Sequence, residues 1–120
     1  MSTPGVLGRF DLAQEIARFP PDVPSGRRSE TLLKTPSLRV VLITMRAGTE
    51  LHEHTAPGPI TVQPLQGRFT LVADGEEQEI VPGTVVALQE RTRHAVRATE
   101  DGAFLLTIGW LPHDDAGTTS

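Results

Sequence analysis

The sequence predicts a small all-β fold of one domain, an antiparallel sandwich or barrel for which a jelly roll is the most consistent architecture. Three observations carry this expectation. From Thr31 onward, short runs rich in β-branched residues alternate with turn signals about every 8 to 12 residues. Asp74-Gly75 stands between two such runs, RFTLVA and EEQEIV, and both central positions of a two-residue hairpin turn take positive φ. The chain has 120 residues and no cysteine, long enough to bury one core without a disulfide.

The elements follow in order. Residues 1–30 read as an N-terminal arm with one short helix at about 11–19, DLAQEIARF. Asp11 can cap it with Gln14 three residues on, and Leu12, Ile16 and Phe19 share a face. PPDVPSGRRSE stops it, because proline cannot continue a helix. Residues 31–112 are expected to form the barrel. LRVVLITMR (38–46) runs to a turn around Gly48; ELHEH and ITVQPLQ follow, with a stop at Gly67. After the hairpin, Pro82-Gly83 turns the chain into TVVALQ, and RHAVRA and AFLLTIGW complete the set. Phe104, Leu106, Ile108 and Trp110 alternate along the last strand and read as core lining. VVLI (40–43) is apolar on both strand faces, so the core must cover one and a helix or second subunit the other; this agrees with a homodimer. Residues 113–120 read as a flexible tail, with His113 exposed in it.

Composition removes several function classes. Without cysteine there are no thiolate zinc sites, iron–sulfur clusters or cysteine nucleophiles. The net charge is −4 with no basic stripe, which argues against nucleic acid as a partner. No apolar run approaches the ~18 residues of a membrane span, and MSTPGVLGRFDL lacks the charged start and apolar core of a secretory signal. A cytoplasmic protein with a small-molecule ligand is the expectation. There is no Gly-x-Ser-x-Gly turn, no phosphate loop and no tyrosine to serve as acid or base.

Two of the four histidines lie one residue apart in ELHEH. Positions i and i+2 of a strand share a face about 6.6 Å apart, so His52 and His54 would aim two imidazoles one way, a spacing that suits nitrogens converging at about 2.1 Å on a metal ion. Glu53 would point the other way. The competing reading makes both histidines exposed polar residues of an edge strand. Arg46, Arg68, Arg91, Arg93 and Arg97 are candidates to receive an anion, or are simply solvated. Glu76, Glu77 and Glu79 surround a hairpin tip and read as charges that discourage edge pairing.

His94, at the start of RHAVRA, adds a third imidazole, and with it the chain from about Gly48 to Gly102 resembles the cupin family, RmlC-like jelly-roll β-barrels. Gly48, His52, His54 and Gly67 follow the order of the family's first motif, with a first spacer of three residues rather than five. Gly83 and His94 keep the interval of the second. The resemblance implies a single-domain cupin-type barrel, often homodimeric, with His52, His54 and His94 as metal ligands. It is imperfect: Pro59 and Ile60 occupy the positions of the metal-binding glutamate, Gln89 and Arg91 replace the second motif's proline and glycine, and Ala98 replaces its asparagine.

Gln63 is the best nearby oxygen donor to replace the glutamate. If Pro59 points inward, two-residue alternation brings Gln63 inward too; if Ile60 does, Gln63 faces out. Pro64 disturbs that alternation. A neutral His-rich site would hold a divalent transition metal, namely iron, nickel, copper or zinc, and would favour a chelating anion. Two functions remain: a dioxygenase-like, metal-dependent oxidoreductase, which glutamate-free three-histidine cupins resemble, and a non-catalytic barrel that binds a small molecule or metal. Sugar-epimerase cupins need the missing tyrosine, and oxalate-type cupins the missing glutamate.

Overall fold

A computed structural model describes residues 5–110 of the chain. Met1–Pro4 and the expected tail at 113–120, His113 included, lie outside the described residues. One helix, α1 (Leu12–Arg18), precedes nine strands: β1 (Arg27–Lys34), β2 (Leu38–Met45), β3 (Glu50–His54), β4 (Ile60–Gln66) and β5 (Phe69–Ala73), then β6 (Glu76–Ile80), β7 (Val86–Leu88), β8 (His94–Ala98) and β9 (Gly102–Gly109). They form two antiparallel sheets, β1-β2-β9-β4-β7 and β3-β8-β5-β6, the two layers of a jelly roll. The all-β expectation holds, with its short N-terminal helix.

Local chemistry explains the elements. The Asp11 carboxylate accepts from the Gln14 N–H at 3.2 Å, capping α1. Asp74 and Gly75 take φ values of 50° and 83°, the two left-handed positions of a tight hairpin between β5 and β6. The first strand begins at Arg27, so residues 27–30 belong to the sheet rather than to an arm. Its charged start, Arg-Arg-Ser-Glu, hides a strand at a sheet edge, where charges deter pairing with another chain.

The core lies between the sheets. Along β2, Val41, Ile43 and Met45 face it, all at most 8% exposed, and meet Phe104 of β9 and Val62 of β4. Leu42 and Thr44 point to the other side, yet each is only 1% exposed. The helix end is part of their cover: the Thr44 hydroxyl donates to the Phe19 carbonyl at 2.7 Å, and α1 lies against β2. Phe19 in turn carries the Arg28 guanidinium 5.1 Å from its ring centre.

Pro64 sits inside β4 without breaking it. β7 pairs with Ile60, Thr61 and Val62, so among the described residues one side of β4 has no strand partner by Pro64, where a missing N–H costs little. The register with β9 slips just beyond, between Pro64 and Gln66.

Candidate metal centre

His94 opens β8, the strand paired with both β3 and β5, and is 3% exposed. Its direct partner across the ladder is His54, and their ring centres are 4.3 Å apart, tilted by 60°. Each ring is held by a backbone carbonyl two residues earlier in its own strand or loop. His54 Nδ1 lies 2.8 Å from the His52 oxygen, and His94 Nδ1 lies 2.9 Å from the Thr92 oxygen. A carbonyl can only accept, so each Nδ1 carries the proton and each Nε2 keeps a free lone pair. That is the tautomer a metal-ligating imidazole needs.

Both rings line one cavity of about 200 Å³. The five-stranded sheet contributes Val41, Ile43, Val62, Phe104 and Leu106, and the four-stranded sheet Leu51 and Val96. Ser29 of β1 is the other polar side chain there. His54 is exposed and His94 buried, so the pair leads from solvent into the apolar interior.

His52 does not join them. On β8, Val96 and His94 are two residues apart and face the cavity; on β3, their partners Leu51 and His54 are three apart. β3 therefore carries one extra residue, a bulge. It puts Leu51 rather than His52 on the face of His54, and His52 is exposed outside the cavity. The two-residue rule fails here because it assumes an unbroken ladder. Among the described residues, no three or more His, Asp or Glu side chains gather closely enough to hold an ion.

Gln63, the candidate oxygen ligand, is also outside the cavity. Its partner on β9 is Leu105, while the cavity-lining Val62 pairs with Leu106. Ile60 points inward at 3% exposure, so alternation turns Gln63 away. An apolar side chain thus stands near the place of the glutamate. The candidate arginines stay on the surface: Arg46 pairs with Asp22, Arg68 with Glu79 and Glu100, Arg91 with Glu90 and Arg93 with Glu53, while Arg97 is exposed. Ser29 and Leu51 were not candidates from the sequence. Only the strand register brings them to the cavity.

The loop before His94 keeps its shape without the expected glycine. Arg91 holds φ at 61°, the left-handed region, and its N–H donates to the Ala56 carbonyl at 2.9 Å. A side chain there costs about 1–2 kcal/mol, and glycine's extra entropy returns part of it. Arg91→Gly is expected to stabilise the fold by about 0.5–1 kcal/mol, raising Tm by about 2–5 °C in a thermal melt. The exposed Arg91–Glu90 pair lost with it is worth little.

Burial pushes the His94 pKa below the ordinary value near 6.5, and the neighbouring His54 adds to this, against the Thr92 carbonyl bond, which favours the charged ring. The folded protein therefore keeps the ring neutral where the unfolded chain takes up a proton. Stability is at its full level above about pH 6.5 and falls as pH drops below it. In metal-free protein, Tm is expected to decline from about pH 7 to about pH 5, and less steeply in His94→Gln.

Comparison with solved structures places this fold among known ones. A conserved Streptococcus pyogenes protein of unknown function matches with a TM-score of 0.73 at 22% identity, over 94% of this chain and 93% of that one. An RmlC-like cupin from Desulfovibrio desulfuricans matches with a TM-score of 0.66 at 24% identity, over 91% of this chain and 96% of that one. The fold is that of a cupin. Salicylate 1,2-dioxygenase from Pseudoaminobacter salicylatoxidans contains the same cupin barrel, with a TM-score of 0.67 at 20% identity over 82% of this chain and 30% of that one. No family model and no curated protein sequence matches this chain. Among the described residues, no helix is long and apolar enough to cross a membrane.

Proposed function

We propose that this cupin barrel binds one divalent transition-metal ion through Nε2 of His54 and His94, with His52 as third ligand, and acts as a dioxygenase-like oxidoreductase on a small chelating anion. The observation that carries the reading is the pair of cross-strand imidazoles, both with Nδ1 engaged by a carbonyl, at one end of an apolar cavity. Neutral nitrogen donors suit iron, nickel, copper or zinc. An ion held only by neutral ligands keeps its double positive charge, and would supply Lewis-acid activation of an anionic ligand and, for iron or copper, electron transfer. His54 and His94 orient that ligand, and the hydrocarbon walls exclude water from it. His52 reaches the site if the extra residue of β3 is drawn out of the bulge, because a regular strand puts His52 on the face of His54.

The salicylate 1,2-dioxygenase neighbour supports the reaction class, as a protein of this fold whose name states such chemistry. A second reading, a non-catalytic metal or small-molecule binder, has its own support: no carboxylate, lysine or arginine among the described residues lines the cavity to move a proton.

Calorimetric titration of chelator-stripped protein with Fe²⁺, Ni²⁺, Cu²⁺ and Zn²⁺ is the test. One ion per chain is expected, with affinity reduced at least about 100-fold in His54→Ala and His94→Ala and about tenfold in His52→Ala. Rejection of all four ions overturns both metal readings. Oxygen uptake by the iron-loaded protein with β-diketones, flavonols and thiol acids separates the two: uptake favours the oxidoreductase, while tight metal binding without uptake favours the binder.

A further inference from the structure

The cavity's walls define the body of the ligand, whatever its head. Seven of its ten lining side chains are Val, Ile, Leu or Phe, and the rest are Ser29, His54 and His94. Among the described residues, no charged or amide side chain lines it. A bound hydroxyl turned toward Ile43, Val62 or Phe104 would lose its water and gain no partner. Each such loss costs on the order of tenfold in affinity. A sugar or sugar acid, with hydroxyls on every side, is therefore disfavoured many times over.

Size points the same way. An engineered cavity of about 150 Å³ lined by similar side chains stays dry and admits benzene. At about 200 Å³ this one fits a single six-membered ring with a small substituent. Phe104 and Leu106 from one sheet and Leu51 and Val96 from the other present apolar surface to both sides of such a ring. The polar groups are three, and two are the adjacent imidazoles.

We propose that the cup takes a ring-sized hydrocarbon ligand, aromatic or alicyclic, with one polar head set against His54 and His94. The placement of an anionic head rests on the metal reading above; the hydrocarbon body does not.

Fluorine NMR tests the two parts separately. The first titration adds 4-fluorobenzyl alcohol, which is uncharged, to chelator-stripped protein. Saturable binding of one molecule per chain is expected. Leu106→Phe, which fills the cavity, and Ser29→Trp, which closes it from the exposed edge strand, should each weaken binding at least tenfold. Ser29 is exposed, so its variant preserves the core if Leu106→Phe does not fold. Circular dichroism identifies which variants are folded. The second titration uses 4-fluorobenzoate with and without Ni²⁺, competed by glucuronate. The metal should tighten benzoate binding at least tenfold, and glucuronate should not displace it. Binding of the alcohol without any metal effect on benzoate upholds the apolar ligand and overturns the placement of an anionic head on the metal. Failure of the alcohol to saturate, binding untouched by both variants, or displacement by glucuronate at equal concentration overturns the inference even if the metal binds.

Discussion

Gly58→Ala is expected to destabilise the protein by about 3 kcal/mol or more, one of the largest effects of any single methyl group in the chain. Gly58 is buried in the connection between β3 and β4. A Cβ there would overlap the Gly109 carbonyl oxygen, with the carbonyl carbon 2.6 Å away and the Trp110 Cβ 2.8 Å away. The obstacle is mostly backbone, so no rotamer change relieves it. The start of β4 must move off the end of β9, which strains the 2.9 Å bond from the Gly109 N–H to the Pro59 carbonyl and the Ile60–Ile108 pairing. Urea unfolding followed by far-UV circular dichroism measures the loss. A variant within about 1 kcal/mol of the parent would mean that the two strand ends are less tightly apposed than described.

Phe69→Ala is expected to cost about 3–5 kcal/mol. The ring is fully buried on β5 and meets Phe104 edge-on, with centres 5.2 Å apart and planes at 78°. Phe69 and Phe104 come from opposite sheets, so this contact ties the two layers together. Removing one ring leaves a void that neither sheet can close without distorting its ladder. Against a total stability of about 5–15 kcal/mol, the loss is a large fraction. The effect should extend to the cup, because Phe104 also lines the cavity beside His54 and His94 and would lose its lateral support. Chemical denaturation should show a lower midpoint with an unchanged slope. A loss under about 1.5 kcal/mol would show that the core repacks around the missing ring.

The strands were legible because their signals are local. β-branched runs, the Asp-Gly hairpin and the Pro-Gly turn depend on nothing outside their own segments. β1 was half legible, since an edge strand carries charges where a central strand carries Val or Ile. His54 and His94 were legible as members of a three-histidine set with His52; that these two face each other across the ladder is seen only in the fold. What the sequence left open depended on register. A β-bulge has no composition of its own, so nothing in ELHEH distinguishes a regular strand that presents His52 from a bulged one that presents Leu51. The direction of Gln63 hung on whether Pro59 or Ile60 faces inward, and the buried Ile60 decided that only in the folded chain. Ser29 went unnoticed for the same reason: one polar residue on an edge strand means little until its neighbour across the cup is known.

The imidazoles take their aim from carbonyls two positions upstream in the same stretch of chain. The aim of the nitrogens is thus written into short pieces of backbone, while the walls of the cavity come largely from side chains on other strands. Exchanging Val62 or Leu106 should alter what the barrel accepts without re-aiming the nitrogens. If the proposed function holds, such a division of labour would let one scaffold be retuned for new ligands by small steps, each keeping the same pair of imidazoles.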